Sequence, residues 1–272
     1  MHRSLVTYVR EAIWKFFYDR NCEVPFEIPW HRGLMLRLNL GNELSRALFV
    51  DGCYDANEFA FLETVLQPGM YFMDIGAHEG LYTLFAARCV GHDGQVWSFE
   101  PSSREQATLA RNVKLNRLTN VSVLPVALAE ADRDGELKIA SDVRSGHNTL
   151  GEVCEGVSVH QSEAVPLRSL DSVAAEKLLN RLDVVKIDAE GAEMRIIQGG
   201  SRVLREFRPT LLFEAQDNSL RQQGGSLDGL MAAVRSHDYR IYGFDPDTGL
   251  PTAEPGPEDL NLVAIPRDRL LA

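Results

Sequence analysis

The chain has 272 residues, 44% apolar and 25% charged, the balance of an ordinary globular protein. Its 28 basic and 39 acidic residues give a net charge of −11, which excludes a nucleic-acid or anionic-membrane substrate, because such partners need basic surface. The four cysteines, Cys22, Cys53, Cys89 and Cys154, form no C-x-x-C pair and read as reduced, mostly buried thiols of a cytoplasmic protein.

The opening residues place Leu5, Val6, Val9, Ile13, Phe16 and Phe17 at helical spacing, with Arg10, Glu11 and Lys15 interrupting any signal-peptide core. This amphipathic helix has three readings: packing on the body, a homodimer contact, or contact with a membrane surface. No stretch holds the ~20 apolar residues of a membrane span, so no integral membrane association is expected. Beyond a connector around Pro25 and Pro29, LMLRLNL alternates as a half-buried strand, and Gly41-Asn42 predicts a turn into a second strand, RALFV. Residues 1–50 are thus expected as a helix and β-hairpin extension, and residues 51–272 as the main domain. A helix over about 56–66 ends at Pro68-Gly69.

From residue 71 onward, strands alternate with helices. The apolar runs YFMDI, QVWSF, VSVLPVAL, DVVKID and TLLFE read as strands, and RIYGF with LNLVAIP as a closing antiparallel pair. Among the helices, the one after QVWSF opens with Pro101 and a Ser102-x-x-Glu105 capping box. The pattern predicts an α/β fold: a doubly wound, mostly parallel, seven-stranded sheet of Rossmann-like type. Ser141 to Ser162 shows no clear periodicity and is expected to be a substrate-contacting loop.

The first parallel strand runs into Asp74-Ile75-Gly76-Ala77-His78-Glu79-Gly80, at the place where open α/β sheets bind ligands. Gly76 and Gly80 allow close backbone approach, and the following helix offers free amides. There is no G-x-G-x-x-G fingerprint. A strand-end carboxylate would repel a pyrophosphate but suits an ammonium and a sulfonium, which points to S-adenosylmethionine. At the next strand end, Glu100, before Pro101, suits the ribose hydroxyls of an adenosyl group. Ala127 and Leu128, at the expected end of the third strand, would flank adenine. The run VVKIDAEGAEMRIIQGG crowds Lys186, Asp188, Glu190 and Glu193 around one strand end, a setting for shifted proton affinities.

These segments resemble the FkbM-type family of class I S-adenosylmethionine-dependent methyltransferases: Asp74 to Gly80 for D-x-G-A-x-x-G, Phe99-Glu100-Pro101, and Lys186 to Glu193 for K-x-D-x-E-G-x-E. The resemblance implies S-adenosylmethionine as cofactor, S-adenosylhomocysteine as product, and O-methylation of a sugar, glycoside or natural-product hydroxyl. It implies that the cofactor lies on Asp74, Gly76, Ala77, His78, Gly80, Glu100, Pro101, Ala127, Leu128 and Asp188. His78 departs from the family, which carries Asn there. Asp188 is the first expectation for the base, followed by Glu190, His147 and Lys186. No dedicated metal cage is legible, so a metal-free reaction is expected, with Mg²⁺ on Asp188 and Glu214 the lesser alternative. The rival readings are an NAD(P)-dependent oxidoreductase and a non-catalytic adenosyl-binding relative.

Overall fold

A computed structural model describes residues 5–20, 22, 24–140, 148–151, 159–245, 248–252, 255–256 and 259–269. The N-terminal part comprises α1 (Leu5–Tyr18), β1 (Val24–Trp30), β2 (Leu34–Leu40), α2 (Glu43–Ser45), a π-helical turn at Arg46–Asp51, and α3 (Ala56–Val65). Then come β3 (Tyr71–Ile75), α4 (Leu81–Val90), β4 (Gln95–Phe99), α5 (Ser103–Leu115), β5 (Val121–Leu124), β6 (Ala127–Ala129), β7 (Arg133–Ala140) and β8 (Val159–Ser169). The remainder is α6 (Leu170–Glu176), β9 (Val184–Ile187), α7 (Glu193–Gly199), α8 (Ser201–Glu206), β10 (Thr210–Glu214), α9 (Asp217–Gln222), α10 (Leu227–Ser236), β11 (Tyr239–Phe244), β12 (Pro251–Thr252) and β13 (Asn261–Pro266).

The main sheet has the order β12-β11-β13-β10-β9-β3-β4-β5, eight strands rather than seven because the two-residue β12 extends one edge. Strands β10, β9, β3, β4 and β5 are parallel, and β13 runs antiparallel to both β10 and β11. Strand order reverses between β3 and β9, adjacent in space although far apart in sequence, and the crevice at their carboxyl ends is where such sheets hold ligands. Continuous apolar strands serve two cores. Phe72, Val96 and Val184 pack with Leu36, Leu84 and Phe85 on one face, whereas Met73, Ile75 and Phe99 meet Ile196, Leu204 and Val234 on the other.

The hairpin differs from the expected one. The connector around Pro25 and Pro29 is itself a strand, and β1 pairs antiparallel with β2 from Val24↔Leu40 to Trp30↔Leu34. As an edge strand it tolerates the missing proline N–H groups. Gly41-Asn42 does not lead into a strand, because the Asn42 side chain accepts the Ser45 N–H at 2.8 Å, caps a helical turn, and RALFV continues as π-helix. Other expectations also change. Pro125, which cannot donate to a ladder, ends β5 at Leu124, and Ala127–Ala129 joins a separate sheet of order β6-β8-β7. Val159 to Ser162, read as loop, belongs to β8. Cys22 and Cys53 are exposed and Cys89 is only partly covered, because they lie outside the apolar strands; Cys154 is outside the described residues.

On α1, Trp14 is buried and donates Nε1–H to the Asn42 carbonyl at 2.8 Å, while Leu5, Val6, Val9, Ile13 and Phe16 face outward. Packing on the body therefore accounts for one edge of that helix. No helix among the described residues is long and apolar enough to cross a membrane. The hairpin is anchored by Asn112 of α5, whose Oδ1 accepts the Arg37 N–H at 2.8 Å and whose Nδ2 donates to the carbonyls of Arg37 (3.1 Å) and Glu79 (2.8 Å). Asn112→Ala leaves these buried groups unpaired, and an urea titration should show a loss of about 2–3 kcal/mol. A loss below about 0.5 kcal/mol would show that the anchor is dispensable.

Candidate active site

The carboxyl ends of β3, β4, β9 and β10 open into one cavity of about 320 Å³. Its floor depends on Gly76, whose φ of +78° is left-handed and where an added Cβ would lie 1.7 Å from the Asp188 carbonyl oxygen. Only glycine lets the β3–α4 turn sit directly on the end of β9. His78 is left-handed as well, at φ +48°, and donates its backbone N–H to Glu100 Oε2 at 2.8 Å. Burial keeps the His78 imidazole below its ordinary pKa and therefore biased to the neutral form.

Glu100, the β4-end carboxylate, also accepts the Ser102 N–H at 2.9 Å and is nearly enclosed. Burial, and after it the charge of Glu105, push its pKa up to about 8 against the pull of those two amides. Ser102 does not form the expected capping box: its hydroxyl donates to the Glu105 carboxylate, and no side-chain cap closes the start of α5. Gly76, Ala77, His78, Gly80, Glu100 and Pro101 all line the cavity. So do Ala127 and Leu128, although they lie on the small sheet rather than at a main-sheet strand end.

Asp74 departs from the expected ligand contact. Its side chain is 0% exposed beneath the cavity, where it accepts the Thr83 hydroxyl at 2.6 Å, because even-numbered residues of β3 point into the α4 face. Lys186 is the cation of the floor, with Nζ 3.1 Å from Asp188 Oδ2, 3.5 Å from the Gly76 carbonyl and 3.9 Å from Asp74 Oδ1. The Tyr82 ring lies 4.6 Å from the same nitrogen. Burial alone would lower the lysine pKa, but Asp188, Asp74 and Asp55 outweigh it and raise it.

Asp188, Glu190 and Glu214 each present a carboxylate oxygen such that all three lie within 4.8 Å of one another. Glu214, 8% exposed, accepts Gln216 Nε2 at 2.6 Å through Oε1, whereas Oε2 has no hydrogen-bond partner among the described residues. Burial, then Asp188 and Glu190, hold its pKa well above the carboxylate range. Glu193, the last acid of that motif, is structural: Oε1 accepts the N–H groups of Ala189 at 2.8 Å and Gly191 at 3.2 Å, fixing the turn that carries Glu190.

Sequence reasoning missed Tyr54, Asp55 and Tyr82. The Tyr82 hydroxyl donates to Asp55 Oδ2 at 2.7 Å, and burial, then Glu58, push Asp55 up to about 7. Asp55 does not line the cavity but holds Tyr82, which does, and because it immediately precedes α3, where an acid reads as an ordinary helix cap, that contact is masked in the sequence. Asn148 was also missed. Its Oδ1 accepts the Ala140 N–H at 2.9 Å and its Nδ2 donates to Glu105 at 3.2 Å, while Thr149 Oγ1 donates to the Glu190 carbonyl at 3.3 Å. Residues 148–151 thus cross the cavity from α5 to the β9 loop. The expected loop base, His147, lies outside the described residues.

Sheet order and strand-end site define a class I methyltransferase architecture. The chain matches the Methyltransferase FkbM domain over residues 74–241 and belongs to that family. Among relatives, AMB antimetabolite synthetase AmbE of Pseudomonas aeruginosa is 27% identical over 245 residues, covering 78% of this chain and 11% of that protein. The 2-O-methyltransferase NoeI of Sinorhizobium fredii is 25% identical over 154 residues, covering 52% of this chain and 62% of that protein. The crystal structure of Methyltransferase FkbM from Methylobacillus flagellatus is 17% identical, covers 78% of this chain and 51% of that chain, and has a TM-score of 0.43. The matches thus span from about a tenth to under two thirds of these relatives' lengths.

Asp55 and Glu100 titrate near 7 and 8 in the fold, above their unfolded values, so between pH 4.5 and 8 the folded state binds more protons. Stability from these groups is full below about pH 4 and is lost as pH rises through their folded values. Urea midpoints of the ligand-free protein should fall from pH 5.5 to 8.5, and Glu100→Gln should flatten the decline. Midpoints that rise across this range would contradict the assignment.

Proposed function

We propose that this chain is an S-adenosylmethionine-dependent O-methyltransferase acting on a hydroxyl of a sugar or glycosylated small molecule. The carrying observation is that the glycine turn at Gly76, the carboxylate of Glu100 and the Lys186–Asp188 pair face one cavity. The fit to the cofactor rests on three features. Glu100 offers a nearly enclosed carboxylate for ribose hydroxyls; Ala127, Leu128 and Val126 form an apolar wall for a purine; and the acidic end suits a cation.

When bound, S-adenosylmethionine supplies a methyl group activated by its sulfonium. The chain's task is mostly positional, holding the acceptor oxygen in line with that carbon. Asp188 accepts the hydroxyl proton, and Lys186, 3.1 Å away, fixes the orientation of its carboxylate. Glu190 is the second acid at that end, and Asp74 supports Lys186 from below. NoeI, a 2-O-methyltransferase, supports oxygen as the acceptor atom.

In calorimetry, S-adenosylhomocysteine should bind and NAD should not. Glu100→Gln should weaken S-adenosylhomocysteine at least tenfold, about 1.4 kcal/mol. Asp188→Asn should keep that affinity within about threefold while lowering turnover on a glycoside acceptor about 100-fold or more, read by mass spectrometry of the added methyl. Binding of NAD in place of S-adenosylhomocysteine would establish the oxidoreductase reading instead.

A further inference from the structure

The acceptor end of the cavity gathers three carboxylates, Asp188, Glu190 and Glu214, around the single ammonium of Lys186. Three oxygens mutually within 4.8 Å match ligands sharing one ion, since bonds of about 2.1–2.4 Å put opposite ligands at roughly 4.2–4.8 Å. A second observation is independent of that spacing. Glu214 is 92% buried, lines the cavity, and leaves Oε2 with no donor among the described residues, although Gln216 holds the other oxygen. In its ionised form a buried carboxylate oxygen without a donor is costly unless a cation or a donor arrives from a ligand.

We infer that Asp188, Glu190 and Glu214 form a divalent-cation site at the acceptor end of the cavity. The donor set is all oxygen, which selects a hard ion such as Mg²⁺, Mn²⁺ or Ca²⁺ over zinc or copper. Three protein oxygens leave further coordination positions for water or a ligand, and an acceptor hydroxyl oxygen is such a ligand. Lys186 is compatible with the ion because it is bound to one Asp188 oxygen, Oδ2, and lies on the floor beneath. The existence of the site stands independently of the acceptor's identity. Its use in orienting a hydroxyl rests on the proposed methyl transfer.

The probe is Mn²⁺ alone, titrated into the purified full chain at constant pH and followed by electron paramagnetic resonance of the free ion. One Mn²⁺ per chain should bind at sub-millimolar concentration, Mg²⁺ should displace it, and both Glu214→Gln and Glu190→Gln should weaken it at least tenfold. Circular dichroism and S-adenosylhomocysteine calorimetry on the two variants report folding and cofactor binding separately, so a failed cation site and a failed methyltransferase assignment give different results. No Mn²⁺ binding up to 1 mM, about 4.1 kcal/mol of affinity, overturns the inference, as does binding that both variants leave unchanged.

Discussion

The floor of the cavity depends on one buried ammonium. Lys186 sits on a strand covered on both faces, and its Nζ contacts the carboxylates of Asp188 and Asp74, the Gly76 carbonyl and the Tyr82 ring. Removing a charge from water is tolerable only when opposite charge and hydrogen bonds replace the solvent, and here the groups come from β3 and its turn, the end of β9 and α4. The ion pairing therefore ties β3, β9 and α4 together at the point where they part to admit a ligand. The lysine opposes the upward pull that burial and the Glu58 charge exert on Asp55, whereas Glu100 and Glu214 owe their raised proton affinity to burial and to neighbouring acids.

Much of the fold was legible because parallel strands buried on both faces read as uninterrupted apolar runs. YFMDI, QVWSF and TLLFE became β3, β4 and β10 with every residue but the first of β3 and β4 buried. The failures have local causes. Pro25 and Pro29 hide a strand because an edge position forgives what a central strand would not. Asn42 redirects the chain through a single cap, and such a side-chain bond carries no periodicity. Pro125 separates two short strands that read as one.

The cavity lining was legible where an acid falls at a strand end, as at Glu100 and Asp188. It was not legible where the role depends on which way a residue points. Asp74 and Glu193 are motif acids that turn inward, one to Thr83 and Lys186, the other to the amides of its own turn. Tyr54 and Asn148, which line the cavity, and Asp55, which holds Tyr82, come from irregular segments whose placement only tertiary packing decides. A motif of regularly spaced acids therefore mixes cavity-lining residues with struts.

The segment at 148–151 carries a different lesson. On the β9 side it is attached to a main-chain oxygen, the Glu190 carbonyl, which Gln223 also holds at 2.8 Å. A carbonyl is present whatever residue occupies the position, so this mooring survives side-chain change at its receiving end. On the segment's own side the attachments are side chains, the Thr149 hydroxyl and the Asn148 amide, so these two residues are what a change of sequence there has to keep. The tolerance is one-sided: the sheet's end of the mooring is indifferent to sequence, and the crossing segment's end is not.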